Sequence, residues 1–127
     1  MYDLIASQLL HKWVSAIKGG DANQVANLYR DGAMLLGTFS NKERIGRGLI
    51  LEYFEKLLKS PVDVEIVSEH PHDFEWAAVN SGLYNFVTNG KTINARFSFV
   101  YQADIKNAIS TDMWKIVSHH SSVMPET

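Results

Sequence analysis

At 127 residues the chain suits one domain spanning 1–127 and leaves no room for a second of ordinary size. Its 46% hydrophobic and 11% aromatic content excludes a disordered chain, and a formal charge of -2 with no basic run excludes a general pull toward nucleic acid or an anionic membrane. The lack of cysteine removes disulfides, thiolate metal sites and cysteine nucleophiles together.

The chain starts Met1-Tyr2-Asp3-Leu4-Ile5, with an acid where a signal peptide is basic, and its apolar run is broken by Gln8, His11 and Lys12. That is neither a signal peptide nor a membrane span, and a cytoplasmic protein is expected. From Leu4 to Ile17 the residues Leu4, Ile5, Leu9, Leu10, Trp13, Val14 and Ile17 recur mostly at three- and four-residue steps, the stripe of an amphipathic helix. Gly19-Gly20 ends it, and Asp21 is a natural N-cap for a short second helix with Val25, Leu28 and Tyr29 on its buried side. Asp31-Gly32 closes that helix, and Ala33 to Leu36 fits a short buried strand. Gly37 to Arg44 reads as a loop, with Lys42, Arg44 and Arg47 as solvated charges near a helix start. A third helix follows from Ile45 to Leu58, and Pro61 forces its end near Ser60.

Beyond Pro61 the pattern changes period. Val62, Val64 and Ile66 alternate with their neighbours, as in a strand. Pro71-His72-Asp73 reads as a turn, Trp76 to Thr88 as a long strand, Asn89-Gly90 as a tight hairpin and Lys91 to Gln102 as the partner strand. A polar loop, Asp104 to Thr111, precedes a last strand from about Met113 to Ser122. Three helices followed by some four strands do not suit a parallel α/β fold. The expectation is an α+β cone: three N-terminal helices packed in a strongly curved antiparallel sheet, whose other face makes a homodimer.

Polar groups invade the last strand at Ser118-His119-His120-Ser121-Ser122. Strict alternation puts Ile116, Ser118, His120 and Ser122 on one face, and with that face inward one imidazole and two hydroxyls project into the cone as a proton-handling site. Read plainly, both histidines are polar residues at a sheet edge. Arg96 and Ser98 share a face of the preceding strand, where an arginine among large apolar residues needs a partner. That partner is either Glu52, Glu65 or Glu75, or an anionic ligand at the pocket floor. A metal site is not expected, since adjacent histidines on a strand point apart and no tetrahedral donor set is visible. No Gly-x-Ser-x-Gly elbow or phosphate loop occurs, and Asp31 before Gly32 reads as a cap rather than a base.

The segments Ala95-Arg-Phe-Ser-Phe-Val-Tyr101 and Trp114-Lys-Ile, followed by His119-His-Ser-Ser-Val-Met-Pro-Glu126, resemble the nuclear transport factor 2-like superfamily. Within it the chain is most similar to the association-domain family of calcium/calmodulin-dependent kinase II and its small bacterial relatives. Trp13, Gly20-Asp21, Leu28-Tyr29 and Tyr53-Phe54 fit the same pattern. The resemblance implies a curved sheet around three helices, a deep pocket and assembly through the sheet, without kinase activity. The His-His-Ser-Ser ending is also similar to the His-His-His-Ser-Ser motif of iota-class carbonic anhydrases, which can work without metal. By that likeness His120, Ser122, Thr38 and Tyr53 would be catalytic, and Ser118 stands where the motif has its first His. The expected function is a pocket that binds or converts a small, anionic molecule, with Arg96, Ser98 and Ser118 as ligand contacts and no cofactor. Metal-independent hydration of carbon dioxide is its sharpest form. The alternatives are a non-catalytic ligand-binding or oligomerisation module, and an isomerase- or cyclase-like enzyme.

Overall fold

The computed structural model of the chain describes residues 4–126, so the acid read at Asp3 lies outside the described residues. The order is α1 (Ile5–Gly19), α2 (Ala22–Ala26), β1 (Tyr29–Leu36), β2 (Glu43–Ile45), α3 (Arg47–Leu57), β3 (Val62–Asp73), β4 (Ala77–Thr88), β5 (Lys91–Ala103), a 3-10 turn (Thr111–Met113) and β6 (Trp114–Val123). The strands form one six-stranded curved sheet in the order β2-β1-β6-β5-β4-β3. The α+β architecture is as expected. The sheet, however, is not wholly antiparallel: β1 runs parallel to β6 and places two strands among the helices.

Helix α1 carries the expected stripe, with Leu9, Leu10, Trp13 and Ile17 buried, and Gly20 closes it in the left-handed conformation. Its N-terminus is capped from far along the chain. Leu4 offers no side-chain bond, but the Asp73 carboxylate accepts from the amides of Ile5 at 2.7 Å and Ala6 at 2.9 Å. Asp73 therefore ends β3 rather than sitting in the turn expected at Pro71. Proline is tolerated there because β3 is an edge strand, and the reversal comes later, where Phe74 N–H donates to Ala77 C=O.

Asp21 caps α2 as expected, accepting from Asn23 N–H at 2.9 Å. The helix stops at Ala26, and Leu28 and Tyr29 do not extend it; Tyr29 opens β1 opposite Ile116 of β6. Asn89-Gly90 forms the expected hairpin, with φ of 52° and 74°, matching a turn whose central residues are both left-handed.

In β5 the alternation is regular: Ala95, Phe97, Phe99, Tyr101 and Ala103 are buried, and Arg96, Ser98, Val100 and Gln102 are exposed. The buried row meets the helices. Trp13 of α1 stacks on Tyr84 with ring centres 5.8 Å apart and meets Phe99 edge-on at 5.3 Å, while Tyr29 packs on Phe54 of α3. Strand β6 is not regular. Tyr101 pairs with Ile116 but Val100 pairs with Ser118, so Val117 is an extra residue in a bulge. Past it the alternation is displaced by one: Ile116 is inward before the bulge, and His119 and Ser121 are inward after it. Strict alternation had turned His120 and Ser122 inward. The bulge reverses that assignment.

Candidate functional site

Inside the sheet, His119 is 2% exposed and lies flat on Phe99, with ring centres 3.9 Å apart at 15°. Trp13 meets it edge-on at 5.3 Å. Both ring nitrogens are used: Tyr29 Oη is 2.8 Å from Nδ1, and Tyr84 Oη is 3.2 Å from Nε2. Trp13 Nε1–H donates to Tyr29 Oη at 3.1 Å. Tyr84 Oη–H donates to Ser121 Oγ at 2.5 Å, and Ser121 Oγ is hydrogen-bonded to Thr38 Oγ1. A continuous polar line thus crosses an aromatic core from α1 to the loop after β1.

The apolar surroundings fix the charge state. Burial, with a smaller push from the neighbouring His120, drives the His119 pKa down to about 3, so the imidazole is neutral at any ordinary pH. Burial likewise raises the Tyr29 and Tyr84 hydroxyls far above the usual tyrosine range, and both stay protonated. His119 therefore serves as a hydrogen-bonded strut and not as a base for neutral solution.

The line ends at a cleft. Leu36, Gly37, Ser40, Lys42, His120 and Ser121 are among the residues lining an opening of about 440 Å³ between the β1–β2 loop and the end of β6. Thr38 is half-buried beside it. Tyr53 of α3 holds the loop: its hydroxyl accepts from Phe39 N–H at 3.2 Å, and its ring fills the space a Cβ on Gly37 would need. Burial pushes the Tyr53 hydroxyl up to about 12, against the Phe39 bond and the nearby Arg44.

Arg44, read from sequence as a solvated charge, is 4% exposed. Its guanidinium donates to Leu49 C=O at 3.0 Å, Glu52 at 3.1 Å and Ser40 Oγ at 3.3 Å. The hydrogen bond from Arg44 and then the charge of Lys56 hold the Glu52 carboxyl below the usual range. Of the three glutamates considered as partners for Arg96, Glu52 is thus taken by Arg44.

The remaining expected site residues fall outside the cone. Arg96 and Ser98 are exposed on the outer face, and Ser98 Oγ pairs with Ser81 Oγ at 2.8 Å. Neither forms a pocket floor, because the inward row of β5 is Phe97 and Phe99. Ser118 is half-buried at the bulge, opposite Val100 and Met34. Ser122 is half-buried opposite Arg96, and His120 is exposed at the cleft rim. Of the residues expected to be catalytic, Thr38 lies in the loop that Tyr53 holds through Phe39, and on β6 the inward positions are taken by His119 and Ser121 rather than His120 and Ser122. Sequence reasoning missed these two with Tyr29, Tyr84 and Trp13. The available signal was the adjacent apolar pair Ile116-Val117, which breaks period two just before the histidines. Among the described residues no three His, Asp or Glu side chains converge on one point.

The calcium/calmodulin dependent protein kinase II association-domain model matches residues 4–125, and the chain belongs to that family. It is similar, at 34% identity and a TM-score of 0.83, to a Xanthomonas campestris structure provisionally named as such an association domain; the match covers 95% of this chain and 86% of that one. A nuclear transport factor 2-like protein of unknown function from Pseudomonas putida shares the fold, at 15% identity, a TM-score of 0.78 and coverage of 94% and 84%. So does a structure from Parabacteroides distasonis provisionally named as a ketosteroid isomerase, at 15% identity, a TM-score of 0.78 and coverage of 96% and 89%. No curated protein matches the chain in sequence.

Proposed function

We propose that this association-domain family member binds a small oxyanion in the cleft where Thr38 meets Ser121. The observation that carries the reading is the buried line itself. A continuous run of hydrogen bonds from Trp13 through Tyr29, His119 and Tyr84 terminates in a hydroxyl pair, and Ser121 of that pair lines an opening of about 440 Å³. Burying so many polar groups in an aromatic core costs stability unless all are satisfied, and here the satisfied network fixes the orientation of its last two hydroxyls. The lining holds both Lys42 and Glu43, so the donor hydroxyls rather than a net positive charge carry the reading. Formate, bicarbonate and inorganic phosphate, titrated into labelled protein, are expected to shift the amide signals of Thr38, Lys42 and Ser121 saturably. Ser121→Ala abolishes the shifts. Unperturbed signals at the cleft with all three anions sink the reading.

A second reading, metal-independent hydration of carbon dioxide, is favoured by one observation. Thr38, Tyr53, His119 and Ser121 supply the four residue types that the carbonic-anhydrase likeness calls for, with His and Ser each one position earlier than the motif had placed them. In this reaction the water oxygen bonds to carbon, one C=O electron pair moves to oxygen, and the proton leaves to buffer. Neutral His119 orients hydroxyls here and does not take the proton. Stopped-flow hydration that survives a chelator and disappears in Ser121→Ala supports it, and no rate above buffer removes it.

The isomerase reading has less behind it, because its chemistry wants a carboxylate base. Among the described residues no Asp or Glu is buried. Glu69, half-buried, bonds to His11 at 2.8 Å and Asn80 at 3.1 Å. Burial raises its pKa, but the bonds from His11, Asn80 and Ser7 outweigh that and leave it low. We further propose a cytoplasmic homodimer joined through the outer sheet face around Val100, Arg96 and Ser98. Sedimentation at micromolar concentration checks the assembly, and cell fractionation the compartment.

A further inference from the structure

Three cations from separate parts of the sequence meet on the flank of the fold. Arg30 of β1, Arg47 at the start of α3 and Lys115 of β6 line one opening of about 390 Å³, together with Tyr29, Asp31 and Asp104. Asn27, just past α2, anchors two of the three: its Oδ1 accepts from Arg47 Nη2, and its C=O accepts from Lys115 Nζ at 2.8 Å. The carboxylates are held more loosely. Asp104 accepts from Arg30 Nη2 at 2.9 Å but is 62% exposed, and Asp31 lies 3.5 Å from Arg47 Nη1 and is 92% exposed. Three cations against two carboxylates leave the opening one positive charge in excess. Lys115 is the cation that meets no carboxylate among the described residues. One donor is unused as well. Arg30 Nε–H is buried without an acceptor, although it shares an edge of the guanidinium with the Nη2 that Asp104 takes.

We infer that the opening among Arg30, Arg47 and Lys115 is a second anion site, separate from the Thr38–Ser121 cleft, and that it takes a dianionic phosphate group in place of the Asp31 and Asp104 carboxylates. The inference stands whether or not the cleft binds an oxyanion. A phosphate group brings two charges and several oxygens to one point, so it can take both N–H groups of the Arg30 edge and still face Arg47 and Lys115. A lone carboxylate brings one charge and two oxygens. The two aspartates give way at little cost, because ion pairs with so exposed a partner are worth little. The formal charge of -2 and the lack of a basic run hide the site, since folding alone brings the three cations together.

Inorganic phosphate and phenyl phosphate, titrated into the labelled full chain at about pH 8, where both are largely dianions, test the inference. Both are expected to shift the amide signals of Arg30, Arg47 and Lys115 saturably, and formate at the same concentrations is expected to leave them in place. Lys115→Met is expected to weaken phosphate binding about tenfold, the worth of one charge-assisted contact. Asp104→Asn is expected to act in the opposite sense and tighten it about threefold by removing a competing charge, which the loss of a merely structural ion pair does not do. No saturable shift at these three residues overturns the inference, as does binding that both variants leave unchanged. Shifts confined to Thr38, Lys42 and Ser121 overturn it too and uphold the cleft reading alone. A formate response as strong as that to phosphate overturns the choice of a dianion. Tighter binding of phenyl phosphate assigns the site to a phosphate monoester and tighter binding of inorganic phosphate to the free ion, and either upholds the inference.

Discussion

The inner and outer faces of the β5–β6 pair carry similar side chains under opposite conditions. Outward, His120, Arg96 and Ser98 meet water, and Ser98 bonds to its cross-strand neighbour Ser81. Inward, His119 and Ser121 are locked among Trp13, Tyr84 and Phe99, with both His119 nitrogens and the Ser121 and Tyr84 hydroxyls engaged. Adjacent residues of the same type thus differ because one extra residue, Val117, decides which of them the core receives. On the outer face a polar group stands alone at little cost. On the inner face it is part of a unit that fails together.

The neighbouring histidines give the sharpest contrast. His119→Ala removes a buried ring and takes one hydrogen-bond partner from each of the Tyr29 and Tyr84 hydroxyls, an expected loss of about 3–4 kcal/mol in chemical denaturation. His120→Ala should stay within about 0.5 kcal/mol of wild type. Equal effects would mean that β6 faces the other way. The arginines repeat the contrast on a smaller scale. Arg44→Met removes the buried guanidinium bonds to Leu49 C=O and Ser40 Oγ and should cost about 2 kcal/mol, whereas Arg96→Met should change little. Tyr84→Phe, which removes the hydroxyl between His119 and Ser121 and keeps the ring, should cost about 1 kcal/mol and weaken cleft binding more than it weakens the fold.

What the sequence carried and what it withheld follow from the range of the forces involved. Helix α1, the Asp21 cap and the Asn89-Gly90 hairpin are written in local periodicity and turn chemistry, and they stand where they were read; the alternation of β5 was read too, but with Arg96 and Ser98 on the inward side. Family-level likeness was legible too, through the Trp114 to Glu126 segment. The site was legible as a neighbourhood but not residue by residue. Thr38 and Tyr53 lie at the β1–β2 loop, and His120 and Ser122 lie off the inward row, because a bulge is set by the pairing of β6 with β5 and not by the strand alone. The same limit hid β2 and the first half of β1, of which only Ala33 to Leu36 was read as a strand, and the cap on α1, whose carboxylate comes from Asp73. Arg44 and Arg96 exchanged roles for a similar reason. The burial of an arginine is decided by which helix covers it, and α3 covers Arg44.

The central claim is that His119 is inward, neutral and bonded at both nitrogens, and a pH titration of its ring signals tests it most directly. In the unfolded chain this imidazole takes up a proton near pH 6.5, but in the folded protein only near pH 3. Between those values the unfolded state binds more protons, so this contribution to stability is complete above pH 6.5 and is lost as pH falls, by roughly 1.4 kcal/mol per pH unit. The His119 ring ¹⁵N signals are expected to keep a neutral-imidazole pattern from pH 8 to pH 4 for as long as the protein stays folded. Protonation of His119 near pH 6 in the folded protein would contradict it.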